Sequence, residues 1–321
     1  MRIYTVFSLF ICSVIFAEIT LKPASNFDAT VSAAAILPSK VYFEGIRLVR
    51  DEIHLSYISQ VLPMQRGVVR FSLLGTLLGS ISLPLEAVEV IIDDQGKSLI
   101  LRQMQDGTKR LESYSLTGKL EASQPLIGIS RLAVLGEMPV LLTGDGTLMP
   151  GPRSFEMSFS AIRTPGLPVA VHLATVDRHT LAIVDRFQPS YRLVDIADSS
   201  VRSIPIDAPG LSAAIKAFDN AMAYAPSRAV RPLLFYAAAA GNGHLFLPVS
   251  GIKLNEGMLL IELGRNGEHI QNLRLLPIAL SRLKQEGNSE GWVLQNKLSI
   301  AGSKIATVSA SGIVSIFQTG R

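Results

Sequence analysis

From residue 40 onward, apolar positions fall in short runs broken by Gly, Asp, Asn and Ser, and they do not hold a helical spacing. The runs are rich in Val, Ile, Leu and Tyr and end at turn signals, which predicts strands joined by tight hairpins. One unit shows the pattern in full. It reads Val88–Ile92, the turn Asp93-Asp94-Gln95-Gly96, Ser98–Gln103, Asp106-Gly107, Arg110–Leu116, Thr117-Gly118-Lys119 and Leu120–Ser123.

The unit recurs. Before it come Phe43–Val49, Ile53–Ser59, Val68–Leu74 and Leu77–Leu83. A less regular copy fills Arg131–Arg163, with turns at Gly136-Glu137 and Gly144-Asp145-Gly146. Then follow Val169–Val176, His179–Asp185, Tyr191–Ile196 and Val201–Ile206, and after them Leu233–Ala239, His244–Val249, Met258–Leu263 and His269–Leu275. The last copy has only Val293–Ile300, Lys304–Ala310 and Ile313–Gln318. A repeat of about 40 residues with four strands is the period of a propeller blade. The expectation is therefore an all-β, six-bladed β-propeller in residues 18–321. Asp28–Leu37 is strand-like and precedes the first complete unit, so it is expected to supply the missing strand of the last blade. Such closure removes open sheet edges. A seven-bladed ring, a β-solenoid and two sandwiches are the competing arrangements.

One segment breaks the period. Between the fourth and fifth units, at about 209–232, Leu211, Ile215, Phe218 and Met222 recur on one helical face among several alanines. Pro226 and Pro232 mark the exit. A single amphipathic helix is expected there. It acts either as a lid with Arg228 and Arg231 offered to an anion, or as a rim element packing its apolar face on the blades.

The turns Leu116-Thr117-Gly118-Lys119-Leu120 and Gly264-Arg265-Asn266-Gly267-Glu268 are similar to the turn between the outer strands of NHL-type and TolB-like six-bladed propellers. The ending Ala310–Phe317 resembles their last blade. This diffuse resemblance spans about residues 28–321. It implies the propeller fold and a funnel reached from the blade-to-blade loops. It leaves function open, because such propellers include binding scaffolds, lactonases, lyases and quinone-dependent dehydrogenases.

The first 17 residues change the picture of location. Arg2, an uncharged apolar stretch over Ile3–Phe16 and the small Ala17 read as a secretory signal peptide. Cleavage after Ala17 removes Cys12, the single cysteine, and lowers the net charge of +4 by one. A cysteine-free mature chain suits a periplasmic or secreted location. After the leader, no apolar run is long enough to span a bilayer. The small charge excess speaks against a nucleic-acid partner.

Candidate chemistry is sparse. His54 and His179 fall at or beside turns of the first and fourth units and are expected to be exposed. His172 lies in an innermost strand and is expected to be buried and hydrogen-bonded, while His244 and His269 begin outer strands as solvated residues. Asp93-Asp94 and Asp145-Gly146 suit calcium, but hairpin chemistry explains them equally. No spacing marks a metal site, nucleophile elbow or phosphate loop. Trp292 and the run Ala237–Ala240 read as packing features. The innermost strands are nearly all apolar, and only Glu89, Arg131 and His172 stand out. The expectation is an exported, non-catalytic scaffold for a protein or small-molecule ligand, with no metal and no cofactor. A funnel-site hydrolase or lyase acting on lactones or glycans is the alternative.

Overall fold

The structure is a computed structural model and describes residues 18–59, 61–135, 138–150, 162–163, 171–223, 234–235, 237–249, 257–276, 297–309 and 312–319. The expected signal peptide, Arg228, Arg231 and Trp292 lie outside the described residues. The chain enters through β1 (Ile19–Leu21), β2 (Pro23–Asp28) and the short helix α1 (Ala29–Ser32). Blade 1 is β3 (Val41–Val49), β4 (Glu52–Ser59), β5 (Arg66–Ser72) and β6 (Leu77–Leu83). Blade 2 is β7 (Ala87–Ile92), β8 (Ser98–Gln103), β9 (Lys109–Tyr114) and β10 (Leu120–Leu126). Blade 3 is β11 (Ile129–Leu135), β12 (Met138–Thr143), β13 (Thr147–Pro150) and β14 (Ile162–Arg163). Blade 4 is β15 (Val171–Thr175), β16 (Thr180–Asp185), β17 (Ser190–Asp195) and β18 (Ser200–Pro205), followed by helix α2 (Leu211–Ala223). Blade 5 is β19 (Ala239–Gly241), β20 (His244–Val249), β21 (Met258–Leu263) and β22 (His269–Leu275). Blade 6 is β23 (Lys297–Ala301), β24 (Lys304–Val308) and β25 (Ile313–Gln318).

The first strands of the six blades touch in a closed cycle, β3 to β7, β11, β15, β19, β23 and back to β3. The fold is thus the expected six-bladed propeller. Its core is divided into six apolar clusters, and each fills the space between two adjacent blades. Strand alternation explains the division, because successive side chains point to opposite faces of a sheet. Along β16, Leu181 and Ile183 face blade 3, whereas Ala182 and Val184 face blade 5. Along β8, Leu99 and Leu101 face blade 3 and Ile100 faces blade 1. Both faces are buried, so these strands read as unbroken apolar runs.

Ring closure differs from the expectation in register. The strand that completes blade 6 is β2, antiparallel to β25 with Phe27 opposite Val314 and Asp28 opposite Ile313. The segment Asp28–Leu37 does not supply it. Asp28 ends the strand and caps α1, its carboxylate accepting the backbone N–H groups of Thr30 and Val31 at 3.0 and 3.3 Å. A capping acid before an alanine-rich stretch favours a helical turn over further extension. The chain also adds β1 to blade 5 as a fifth strand, parallel to β22, with Glu18 paired to Arg274. The N-terminal segment therefore ties blades 5 and 6 together.

The inner strand of blade 5 is shorter than the expected Leu233–Ala239. It is confined to β19, while Phe235 forms an isolated bridge to Val249. The backbone turns aside here, as the N–H groups of Leu234 and Phe235 both donate to the carbonyl of Arg186, at 2.7 and 3.2 Å. The helix expected in the insertion is α2. Leu211 and Ala214 are buried between blades 4 and 5, and Ile215 packs beside them. That is the rim packing described above for one of the two readings.

Candidate functional site

Every inner strand starts at the same end of the ring. At this mouth β3 carries Glu44, β7 Glu89, β11 Arg131, β15 His172 and β23 Lys297. Five blades thus each contribute a polar side chain to one rim. Arg186 follows β16 directly and joins them, because Asp185 is paired with Val171 at the start of β15. The three residues expected to stand out, Glu89, Arg131 and His172, are brought together here. Arg186 and Lys297 were not expected, since one follows a strand end and the other lies inside the expected strand Val293–Ile300.

The cluster is bonded across blades. Glu89 pairs with Arg131 at 3.1 Å and accepts the backbone N–H of Leu132 at 2.7 Å. Burial pushes its pKa up despite the neighbouring cations, of which Arg131 acts most strongly. His172 donates from Nε2 to the carbonyl of Phe235 at 3.2 Å, as expected for a hydrogen-bonded histidine. Burial first, and then Arg186, depress its pKa to about 3, so the ring is neutral at ordinary pH. Glu44 is held by Arg66 through both carboxylate oxygens, one of them 2.9 Å from Nε.

Two cations are left over. Among the described residues, neither Arg186 nor Lys297 lies within ion-pair distance of a carboxylate. Burial lowers the pKa of both, and like charge adds to it, Arg131 acting on Arg186 and Arg186 on Lys297, while Glu89 and Glu44 respectively act in the opposite sense. Buried Nε groups of Arg131 and Arg186 have no hydrogen-bond acceptor among the described residues. Among the described residues, the mouth therefore holds more cations than ion-paired carboxylates.

Directly below the rim, the inner strands enclose a cavity of ≈ 100 Å³. Ile91, Ala133, Leu173, Ala239, Leu298 and Ile300 form much of its wall, and Arg47 lines it as well. Its hydroxyls are engaged, since Thr175 donates to the carbonyl of Val134 and Ser299 accepts the N–H of Leu48 at 2.9 Å. The small side chains of Ala238–Ala240 leave room on the axis, consistent with the packing role expected of that run.

The same end of the ring exposes apolar side chains. Leu62 in the β4–β5 loop is 87% exposed, and Ile127 in the β10–β11 loop is 91% exposed. Leu85 and Val88 stand between them on blades 1 and 2. Apolar groups of this size grouped beside a polar rim are a feature of contact surfaces.

Other expected candidates are scattered. His54 is a correction: it is not an exposed turn residue but 1% exposed within β4, where it donates to Glu52 at 3.1 Å. It lies on the face of β4 opposite Ile53 and Leu55, against Gly96 of blade 2. His179 is exposed at its turn, as expected. His244 and His269 are partly buried and paired with Glu262 and Asn272, rather than simply solvated. Asp93 and Asp145 accept backbone N–H groups of their own turns. Asp94 pairs with Arg47 of blade 1. Among the described residues, no three His, Cys, Asp or Glu side chains are placed to hold a metal ion.

No protein-family profile matches the chain. No curated protein matches it in sequence. The chain is similar to the solved structure of U3-55K, with a TM-score of 0.53 and 9% identity over 93% of this chain and 99% of that one. It is similar to Raptor from Chaetomium thermophilum, with a TM-score of 0.50 and 9% identity over 89% of this chain. It spans 25% of Raptor's length. BamB from Moraxella catarrhalis is matched over 93% of this chain and 99% of that one, at 12% identity and a TM-score of 0.42. At these identities the likeness shows the fold alone.

Proposed function

We propose that the chain is an exported, non-catalytic binding scaffold that receives its partner at the mouth of the ring. The observation that carries this reading is the cation cluster of Arg131, Arg186 and Lys297, of which only Arg131 has an ion-paired carboxylate among the described residues, flanked on the same face by exposed Leu62, Leu85, Val88 and Ile127. Burying cations without counter-charge is costly, so such a cluster favours an arriving anionic surface. Export rests on the leader-like residues 1–17. Cleavage after Ala17 keeps β1, β2 and the Glu18–Arg274 pair intact. Among the described residues, no helix is long and apolar enough to cross a membrane. Within the propeller class, the turns at Gly118-Lys119 and Gly267-Glu268 favour kinship with NHL-type and TolB-like rings.

The test is capture of partners from cell-envelope extract by the immobilised mature chain. Ile127→Asp and Lys297→Glu, both at the mouth, are expected to abolish capture of a partner that Lys304→Met, at the opposite end, retains. The purified chain is expected to turn over neither lactones nor glycans. Reproducible metal-dependent hydrolysis, or capture indifferent to the mouth substitutions, would overturn the reading.

A further inference from the structure

The outermost strand of a blade turns one row of backbone N–H and C=O groups away from its sheet, and folded chains guard such an edge with charge, proline or a covering segment. Among the described residues, five of the six blades do so. β10 carries Glu121 and Pro125, and β18 carries Arg202 and Pro205. β2 opens with Pro23 and ends with Asp28, and β14 is only Ile162–Arg163. The edge of β22 is covered by β1, whose Leu21 also accepts the N–H of Leu276 at 3.0 Å. β6 is the exception. It is the last strand of its sheet, and from Leu77 to Leu83 it has neither a charge nor a proline. A bulge between Leu77 and Gly79 disturbs one end, but Gly79–Leu83 stay in regular register opposite Arg66–Arg70. The surroundings of this edge are apolar. Leu74 in the β5–β6 turn is 84% exposed, and Leu78 is exposed on the strand itself. On blade 2 the exposed Leu116 and Leu120 bracket Gly118, which lies against Ile81 of β6. Ser80 and Ser82, the exposed side chains of the regular stretch, are small and neutral. An unguarded edge of this kind is a template for another strand. The pairing of β1 with β22 shows that a blade of this ring accepts a fifth strand.

We propose that the edge of β6 pairs antiparallel with β6 of a second copy of the chain, joining two four-stranded blades into one sheet about a two-fold axis. A neutral edge offers no charge to select a foreign strand, whereas its own copy matches it in length and in neutrality. An axis through Ser80 sets the two Ser80 hydroxyls opposite each other, within reach of a hydrogen bond. It also sets Gly79 opposite Ile81 of the partner subunit, so a large side chain meets the residue with none. The pattern is thus self-complementary under that axis. The flanking Leu74, Leu78, Leu116 and Leu120 add apolar contact beside the paired strands. One strand pair with these flanks lies at the small end of interface sizes, so the dimer is expected in micromolar equilibrium with the monomer. The contact uses the outer wall of the ring and is independent of the mouth.

Sedimentation velocity of the mature chain over about a hundredfold range of concentration tests the proposal. The expected result is a monomer–dimer equilibrium. Ser80→Lys with Ser82→Lys puts two charges on the edge and is expected to weaken the dimer at least tenfold. Ser80→Thr with Ser82→Thr keeps the hydroxyls and the neutrality and is expected to leave it intact. Both positions are exposed, and an unchanged urea midpoint verifies the fold of each variant. Ile127→Asp at the mouth is expected to leave dimerisation unchanged. The chain from Glu18 onward has no cysteine, so a single introduced thiol reports the register. Ser80→Cys is expected to oxidise to a covalent dimer, because residues directly opposite stand about 4.5–5.5 Å apart at Cβ. Ser82→Cys is expected to cross-link at least tenfold more slowly, since an axis through Ser80 separates its two copies by four strand steps, about 13 Å. A chain that stays monomeric throughout the range, a dimer indifferent to the lysine pair, or faster cross-linking through Ser82→Cys would overturn the proposal. A monomer that captures an extract protein unless β6 carries the lysines would overturn it too, because the edge then serves a foreign strand. Loss of the dimer in Ile127→Asp would move the interface to the mouth, with the same consequence.

Discussion

Glu89 and Arg131 stand on neighbouring blades, and their 3.1 Å ion pair is reinforced by the N–H of Leu132, 2.7 Å from the same carboxylate. One side chain thereby joins blade 2 to both the backbone and a side chain of blade 3. Other seams are made differently. Ser299 of blade 6 receives the N–H of Leu48 of blade 1, and Asn242 of blade 5 donates to the carbonyl of Gly302 of blade 6 at 2.9 Å. The Glu89 seam carries the charge of the mouth, so it joins architecture to the candidate site. Glu89→Ala leaves a buried N–H and a cation without an acceptor. It is expected to destabilise the mature chain by about 1–3 kcal/mol in urea unfolding. Glu89→Gln keeps an oxygen for Leu132 and should lose less. Equal stability of Glu89→Ala and the unmutated chain would show that the seam contributes nothing.

Acid sensitivity follows from the histidine beside it. Burial and Arg186 hold His172 down to about 3, from an ordinary 6.5. The native state therefore binds fewer protons than the unfolded state between those values. His172 contributes stability that is fully present above about pH 6.5 and lost as the pH falls towards 3. Glu89 works in the opposite sense. Its raised pKa contributes stability that is present below its ordinary 4.5 and lost as the pH rises through the raised value. His172→Gln removes the histidine contribution and leaves that of Glu89. The stability difference between the unmutated chain and His172→Gln should shrink as the pH is lowered from about 7 to about 4. A difference that stays flat across this range would contradict the assignment.

Ring closure gives a third test. Gly75 sits at φ +83°, and a Cβ there would lie 2.5 Å from Cγ of Phe27 on the closing strand β2. Phe27 in turn packs its ring against that of Phe71 of blade 1, tilted by 51° at a centroid distance of 5.1 Å. Gly75→Ala therefore meets both backbone strain and a collision with the strand that completes blade 6. The expected loss is about 1–3 kcal/mol. In a Phe27→Gly background both colliding atoms, Cγ and Cβ, are gone and only the strain, about 1 kcal/mol, should remain. Strictly additive losses in that double-mutant cycle would show that β2 does not dock as described.

Much of this architecture is readable in the pattern of the chain, and the failures have physical causes. The strands His244–Val249, Met258–Leu263, His269–Leu275 and Ile313–Gln318 occupy their expected bounds, because turn residues frame apolar runs on both sides. The closing strand was displaced because DATVSAAAIL is apolar enough to resemble a strand, while the signal against it, Asp28 as a cap before alanines, is local and helical. The fifth strand of blade 5 leaves little trace, since Ile19–Leu21 is short and half exposed. His54 misled because it lies two residues from a turn, yet strand alternation points it into the seam with blade 2. At the mouth, Glu89, Arg131 and His172 were visible as polar exceptions in apolar strands. Arg186 was hidden because it enters the cluster by pairing across β15 and β16, which only the folded register reveals.

The insertion helix supplies the last prediction. α2 presses Leu211 and Ala214 into the cluster that also holds Leu193, Leu245 and Phe235, and its start is tied down where Asn272 donates to the carbonyl of Pro209 at 2.8 Å. A lid must leave its seat at little cost, whereas this face shares a core with two blades. Leu211 is 2% exposed, so Leu211→Ala opens a cavity between blades 4 and 5 and should cost about 2–4 kcal/mol in thermal or urea unfolding. Ser212, exposed on the same turn, should tolerate alanine within about 0.5 kcal/mol. Removal of the whole helix then separates the two roles. A rim element predicts lost stability with ligand affinity retained per folded molecule. A lid predicts faster ligand exchange with little loss of stability, and that outcome, together with a silent Leu211→Ala, would return α2 to the ligand path.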